Sequence, residues 1–374
     1  MRVLIDLTSL DDNYTGIERY AKEISLSMIS QFYEHKYILV FKNEIAAGFD
    51  DVIKQSNVEY RILKMPVRGA IGKLLSNQVV LPMQLYKIKA DAYLFLAFPE
   101  PWLFFNSRIY TAIHDVAAID AADTMTTISK WYFRLSYFHA ALFARRIITV
   151  SKFSAVRINK TLRKSKKKLW IIRDGVSAFK KSSQDRIEIF KKYNLPKKYW
   201  LSLATLEPRK NLPLLLWAYD ELLAENSNIP DLVLAGRKGW KVDKLLDGYS
   251  DALRDKTHVT GFIEEQDMAY IYENASLFIT ASSYEGFGLP PLEAMSMGIQ
   301  VLSSDIPAAR EVLGDAAMYF KSDSVNDLKA KLNIMLTLKP DERAECIYKG
   351  RCRAKRYSWN DEARKLMQRL ERMK

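Results

Sequence analysis

The sequence is poor in cysteine: Cys346 and Cys352, six positions apart, are the only two in 374 residues. That excludes a disulfide framework and a cysteine-based zinc ligand set, and it fits a reducing compartment. No apolar run is long enough to span a bilayer. The most apolar stretch, residues 92–105, is cut by Pro99, Glu100 and Pro101, and Asp6 occupies what would be the apolar centre of a leader. Neither a signal peptide nor a spanning helix is expected. Also missing are G-x-x-x-x-G-K-[ST], a G-x-G-x-x-G opening the first helix, H-E-x-x-H and any Asp-x-Asp. A P-loop, a dinucleotide fingerprint, a zincin and an Asp-x-Asp metal-dependent transferase are therefore unsupported, and no metal or other cofactor is called for.

Acidic residues are scarce in the first half. Residues 1–187 hold 29 Lys and Arg against 17 Asp and Glu, whereas the remainder holds 28 against 27, so the net charge of +13 belongs almost wholly to the N-terminal half. Residues 60–90 carry six basic side chains and no acid, and residues 160–168 carry six in nine positions. Such a face suits an anionic bilayer surface or a lipid phosphate; a solvated basic surface with no specific partner is the plain alternative. Zinc-finger spacing, RNP-like aromatic strands and a heptad with a basic region are all missing, which argues against nucleic acid.

What is present is an ordinary globular composition, 48% apolar and 27% charged, long enough for two or three domains at ~150 residues each. Short continuous apolar runs at 3–7, 37–41, 92–95, 109–113 and 146–150 alternate with helical patterns, the first of which begins just after Gly16 with Ile17, Tyr20, Ala21, Ile24 and Met28. The alternation pauses in the polar segment 174–185 and resumes with strands at 200–204, 232–235, 258–260, 277–280 and 300–303, interleaved with helices at 212–223, 268–274 and 290–297. Residues 359–373 read as a closing helix. This pattern predicts an α/β chain of two doubly wound Rossmann-like domains in tandem, with ligand sites beyond the carboxyl ends of the strands and a cleft between the domains.

The densest motif is SSYEGFGLPPLEAMSMG at 282–298. A glycine turn after a strand, leading into Pro290 and Pro291, leaves free backbone N–H groups at a helix start, a place for a phosphate or diphosphate. Glu293, placed in the first turn, reads either as a ligand group or as a carboxylate complementing the helix dipole. Glu285 reads as a site residue or a surface ion pair. A second candidate is LATLEPRKN at 203–211, where Arg209 and Lys210 at a strand end suit a diphosphate leaving group or, more plainly, a solvated helix cap. His114 at a strand end, followed by Asp115, is weighed against a satisfied core histidine. Ser151 and Ser154 read as helix caps, with Ser151 alternatively facing the cleft.

These residues carry a resemblance. Glu285 and Glu293 have E-x7-E spacing, and with EPRKN at 207–211, AGRKGW at 235–240 and TGF at 260–262 the C-terminal half resembles that of retaining family 4 glycosyltransferases of GT-B fold. The N-terminal half is similar through TGIERY at 15–20, IHD at 113–115 and VSKFS at 150–154, in the family's order. EPRKN with a following G-x-x-G-W stretch resembles bacterial mannosyl- and rhamnosyltransferases of surface polysaccharides such as O-antigen or capsule.

The resemblance implies a metal-independent hexosyltransferase with a nucleotide-sugar co-substrate, GDP-mannose being favoured over UDP- or dTDP-sugars. Residues 1–178 would bind the acceptor, residues 179–357 the nucleotide sugar, and residues 358–374 would pack back toward the N-terminal domain. Arg209 and Lys210 would neutralise the diphosphate, Gly286, Phe287, Gly288 and Leu289 would hold phosphates and sugar, and Glu293 would take the ribose hydroxyls. Glu285 would hold the donor sugar, Gly261 and Phe262 would flank the base, Gly16 would approach the phosphates, and His114 would bond the donor sugar, with Asp115 and Ser151 as possible acceptor residues. One departure is that Ala204 and Thr205 stand where many relatives carry Gly-Arg. The acceptor would be a glycan or an undecaprenyl-diphosphate-linked oligosaccharide, with the protein cytoplasmic and peripheral on the inner membrane face. A non-catalytic scaffold or partner subunit of the same fold is the alternative; the intact Glu285, Glu293, Lys210 and His114 argue against it.

Overall fold

The structure is a computed structural model that describes residues 1–10, 16–64, 75–97, 99–163, 168–177, 179, 185–237, 239 and 245–374. They form two compact units, residues 1–175 with 358–374, and residues 176–357.

The first unit is built on seven parallel strands: β1 (Arg2–Asp6), β2 (Lys36–Lys42), β3 (Val58–Leu63), β4 (Ala92–Phe95), β5 (Ile109–Ala112), β6 (Arg146–Thr149) and β7 (Leu169–Ile171). Their spatial order is β3-β2-β1-β4-β5-β6-β7. In register, Val3 lies beside Tyr37 on one side and Ala92 on the other. Continuous runs such as YILVF and AYLF are buried because helices cover both faces of a parallel sheet. Helix Trp359–Glu371 belongs to this unit: Trp359 lies 5.9 Å from Tyr20 on helix Gly16–Gln31, and buried Glu362 accepts from the Arg173 Nε at 2.9 Å.

The second unit has six parallel strands: β8 (Tyr199–Leu203), β9 (Asp231–Ala235), β10 (Thr257–Gly261), β11 (Ala275–Thr280), β12 (Val301–Ser304) and β13 (Met318–Phe320), in the order β10-β9-β8-β11-β12-β13. In both sheets the first strand of the unit sits centrally and the winding reverses beside it. The reversal lies between β1 and β4 in one unit and between β8 and β11 in the other. At such a reversal, loops leave in opposite directions beyond the carboxyl ends and open a crevice.

The strand expectations hold for β1, β2, β4 to β6 and β8 to β12. The edge strands β3, β7 and β13 escaped the reading. No helix among the described residues is long and apolar enough to cross a membrane.

Candidate active site

In the second unit the two loops that flank the reversal carry the chemistry. After β8 the chain passes through Ala204 to Glu207 and makes a 3-10 turn, Pro208–Lys210; Asn211, left-handed at φ 51°, then starts helix Leu212–Glu225. After β11 the chain passes through Ser282 to Gly288, whose φ of 93° makes it the cap of helix Leu289–Ser296. A left-handed cap is the conformation glycine adopts without strain. The loops are stitched together, since the Ser283 N–H and hydroxyl both donate to the Arg209 carbonyl at 2.9 and 3.1 Å.

Glu285 is the hub. Its Oε1 accepts from Lys210 Nζ at 2.5 Å and from Ser282 Oγ at 2.7 Å, and its Oε2 accepts from Arg209 at 3.3 Å. Burial pushes this carboxyl up, but the Lys210 and Arg209 charges and the hydrogen bonds from Lys210 and Ser282 outweigh it and hold it at about 2. It is therefore a fully ionised carboxylate that is only 16% exposed. Arg209 also pairs with buried Glu207 through its Nε. The two cations expected to stand ready for a diphosphate are thus balanced by two carboxylates. Glu207 is the member the sequence reading missed, although it lies two positions before Arg209 in the same motif.

Glu293 departs from expectation. Helix Leu289–Ser296 makes it the fifth helical residue, beyond the first turn, so it does not serve as a simple dipole complement. It is 2% exposed and its Oε2 accepts from the Tyr272 hydroxyl at 2.8 Å. Phe287 is buried with its ring edge-on to Tyr357, and Leu289 is buried beside it, while Gly286 lies in the loop between Glu285 and Phe287. Gly261 ends β10 at a register shift, and half-buried Phe262 follows it. From the AGRKGW motif, Gly236 and Gly239 pack against the β8 loop through Gly239 N–H to Leu206 O at 2.9 Å; Lys238 and Trp240 lie outside the described residues. A small cavity beside Glu285 is lined in part by Thr280, Ser282, Phe287 and Gly288.

In the first unit, His114 follows β5 and its Nε2–H donates to the Leu96 carbonyl, beyond β4, at 2.9 Å. That bond leaves Nδ1 as the acceptor of the neutral ring. The ring stands edge-on to Tyr20 at 4.9 Å. Burial pulls its pKa below the ordinary 6.5, more than the Leu96 bond and Asp115 raise it. The imidazole is expected to stay neutral at pH 7, and an NMR titration of its ring protons should give a midpoint below 6.5; a midpoint above that value would contradict the assigned state. Asp115 accepts the Ala117 N–H at 2.8 Å in a local turn. Ser151 is fully buried and caps helix Lys152–Thr161 by accepting the Ser154 N–H at 2.9 Å, the capping role that its position suggested. Gly16 opens helix Gly16–Gln31, where a Cβ would meet no atom of the described residues within 4 Å.

Among the described residues, the side chains grouped closely enough to hold a metal are Glu34, His35 and Glu371, where His35 Nε2 already lies 2.9 Å from Glu371. Glu34 and His35 lie in the turn between helix Gly16–Gln31 and β2, Glu371 ends helix Trp359–Glu371, and none of them belongs to the motifs above.

A family model for glycosyl transferases group 1 matches residues 185–353. The O-antigen chain mannosyltransferase B of Escherichia coli is 30% identical over 259 residues, covering 68% of this chain and 68% of that protein. The chain belongs to the group 1 glycosyltransferases. The serotype-specific mannosyltransferase WbdA of Escherichia coli is 38% identical over 160 residues, 41% of this chain and 20% of that much longer protein. The crystal structure of Anabaena Alr3699/HepE in complex with UDP and glucose is similar in fold, with a TM-score of 0.73 over 99% of each chain at 14% identity. The two parallel-sheet units are thus those of a GT-B glycosyltransferase, as the motif order implied.

Proposed function

We propose that this glycosyltransferase moves mannose from GDP-mannose, with retention at the anomeric carbon, to a glycan or undecaprenyl-diphosphate-linked acceptor in surface polysaccharide synthesis. The observation that carries the reading is Glu285, ionised and held between Lys210 and Arg209, one loop from a glycine-capped helix start. The names of the mannosyltransferase relatives favour the sugar.

In this reading residues 179–357 bind the donor and residues 1–178 the acceptor. Lys210 and Arg209 share their charge between Glu285 and the diphosphate. The backbone of Gly286, Phe287, Gly288 and Leu289 offers N–H groups to phosphate and sugar. Glu293 takes the ribose hydroxyls, Gly261 and Phe262 flank the base, Gly16 admits the phosphates, and His114 bonds the donor sugar through Nδ1. The bond from the anomeric carbon to the phosphate oxygen breaks as the acceptor oxygen joins the same face. The departing phosphate oxygen takes the acceptor proton, and the developing negative charge meets preplaced cations, so the barrier falls mainly by electrostatics. No metal is given a part.

Two carboxylates already balance the cations, so the helix start must supply much of the extra attraction for a diphosphate. Thermal stabilisation by GDP, UDP and dTDP, each with EDTA, tests this reading. GDP at 100 times its Kd is expected to add about 2.7 kcal/mol. A shift with UDP or dTDP alone would overturn the donor assignment, and no shift with any of them would overturn the donor site. A lipid-linked acceptor also implies residence on the inner membrane face, for which the basic stretches 60–90 and 160–168 supply charge; residues 65–74 and 164–167 of these lie outside the described residues.

A further inference from the structure

A helix on the outside of a globular unit normally turns its large apolar side chains inward. Helix Trp359–Glu371 does so, burying Trp359, Ala363, Leu366, Met367 and Leu370. Helix Thr127–Phe143 packs Phe133 and Tyr137 against the core but turns most of its large apolar side chains outward. The residues it buries are Ser136, Tyr137, Ala140 and Ala141. Facing out, at alternating spacings of three and four, are Ile128, Trp131, Leu135, Phe138 and Leu142, exposed by 84, 56, 52, 51 and 55%. From Ile128 to Leu142 this row runs roughly 21 Å.

The row continues into its surroundings. Phe143, half exposed, packs edge-on against Phe105, itself 55% exposed, and the Phe105 N–H donates to the hydroxyl of exposed Tyr86 at 2.9 Å. A contiguous apolar face of this size on a soluble surface marks a binding site.

Charge indicates what covers it. From residue 124 to residue 173 the sequence has no Asp or Glu and 13 Lys and Arg. Lys168 donates from Nζ to the carbonyls of Ala141 and Leu142 at 2.9 and 3.0 Å, which places that cation at the end of the apolar row. The Arg134 guanidinium lies 5.6 Å over the Trp131 ring. Of the nearby acids, Glu100 is fully buried against His139 at 3.0 Å and Asp120 pairs with Arg157 at 2.6 Å, while exposed Asp123 stands before the start of the helix. A second copy of the chain would bring a like-charged face against this one, whereas an anionic bilayer supplies the opposite charge and an apolar boundary together.

We infer that helix Thr127–Phe143 lies flat in the headgroup region of an anionic bilayer with its Ile128-to-Leu142 row in the acyl boundary. The proposal deepens the membrane-facing part of the reading above and rests on it for the acceptor, but it does not depend on the donor. Trp131 and Phe138 suit this depth because aromatic rings favour the interface, and the two cations on the helix keep it lying on the membrane.

The test is sedimentation of the full chain with phosphatidylcholine vesicles, with and without phosphatidylglycerol, together with quenching of tryptophan fluorescence by lipids brominated on the acyl chain. Binding to the anionic vesicles is expected, with quenching that Trp131→Phe largely removes. The double variant Leu135→Glu and Phe138→Glu, at exposed positions, is expected to bind at least ~10-fold more weakly at an unchanged melting temperature. No binding by the parent chain, equal binding by the double variant, or an unquenched Trp131 would overturn the proposal. So would a solution dimer that the double variant converts to monomer, which would assign the face to a second copy. Vesicle binding by a chain that no nucleotide stabilises would support this proposal and count against the donor reading alone.

Discussion

Lys210→Ala is expected to lower turnover by about 10²–10³-fold while the protein stays folded. Lys210 Nζ sits 2.5 Å from Glu285 Oε1, on a loop fixed by β8 on one side and Asn211 on the other, so little has to move when a diphosphate arrives. A preplaced cation of this kind stabilises charge that appears only as the leaving group departs, which is why its loss should fall on kcat. Initial rates alongside a circular dichroism melt check the expectation, and turnover within a few-fold of the parent in a folded variant would remove Lys210 from the leaving-group role. Glu285→Gln adds a readout independent of substrate. The folded carboxyl titrates at about 2 against an ordinary 4.5, so its contribution is fully present above pH 4.5 and is lost as pH falls toward 2. That contribution is about 3 kcal/mol. Urea melts of the two proteins should therefore differ by a constant amount from pH 7 to about 4.5 and converge below it.

The central strands were legible because their residues are dictated by burial on both faces: LVF in β2 and LVLA in β9 leave no polar position to confuse the period. The strands that escaped stand at sheet edges. In β3, Glu59 and Arg61 interrupt the apolar pattern and four of six residues are exposed; β7 and β13 have three residues each. Edge strands are kept short and polar so that they do not recruit further strands, and this removes the signal a sequence reading relies on. The candidate site divides in the same way. Glu285, Arg209 and Lys210 stood out by residue type and motif spacing. Glu207 and Ser282 did not, because their importance lies in what they touch. Nor could spacing reveal that Glu293 sits one turn deeper, bonded to Tyr272 from another helix. The inverted helix Thr127–Phe143 was hidden for a related reason: its aromatic residues have the period of a core helix, and only the packed unit shows that the row faces outward.

Gly236 supplies the sharpest steric prediction. It follows β9 at φ 132°, and a Cβ placed there would lie 1.8 Å from the Ala204 carbonyl oxygen and 2.6 Å from its carbon. Those atoms are backbone and cannot swing aside: Ala204 N–H is bonded to Ala235 O at 2.9 Å, and Gly236 N–H to Gly261 O at 2.8 Å. Gly236→Ala must therefore strain its own backbone and also separate the ends of β8 and β9, at a cost of at least about 3 kcal/mol. At ~2–4 °C per kcal/mol, the melting temperature should drop by roughly 6–12 °C. Gly248→Ala is the matched comparison, since φ there is 85° but an added Cβ meets no atom of the described residues within 4 Å. It carries the conformational penalty alone, about 1 kcal/mol. Equal melting temperatures for the two variants would mean that the close approach to Ala204 does not constrain the fold. A larger loss at Gly236, with turnover falling in the fraction that still folds, would show that the glycine sets the position of the loop carrying Arg209 and Lys210 as well as the stability of the sheet.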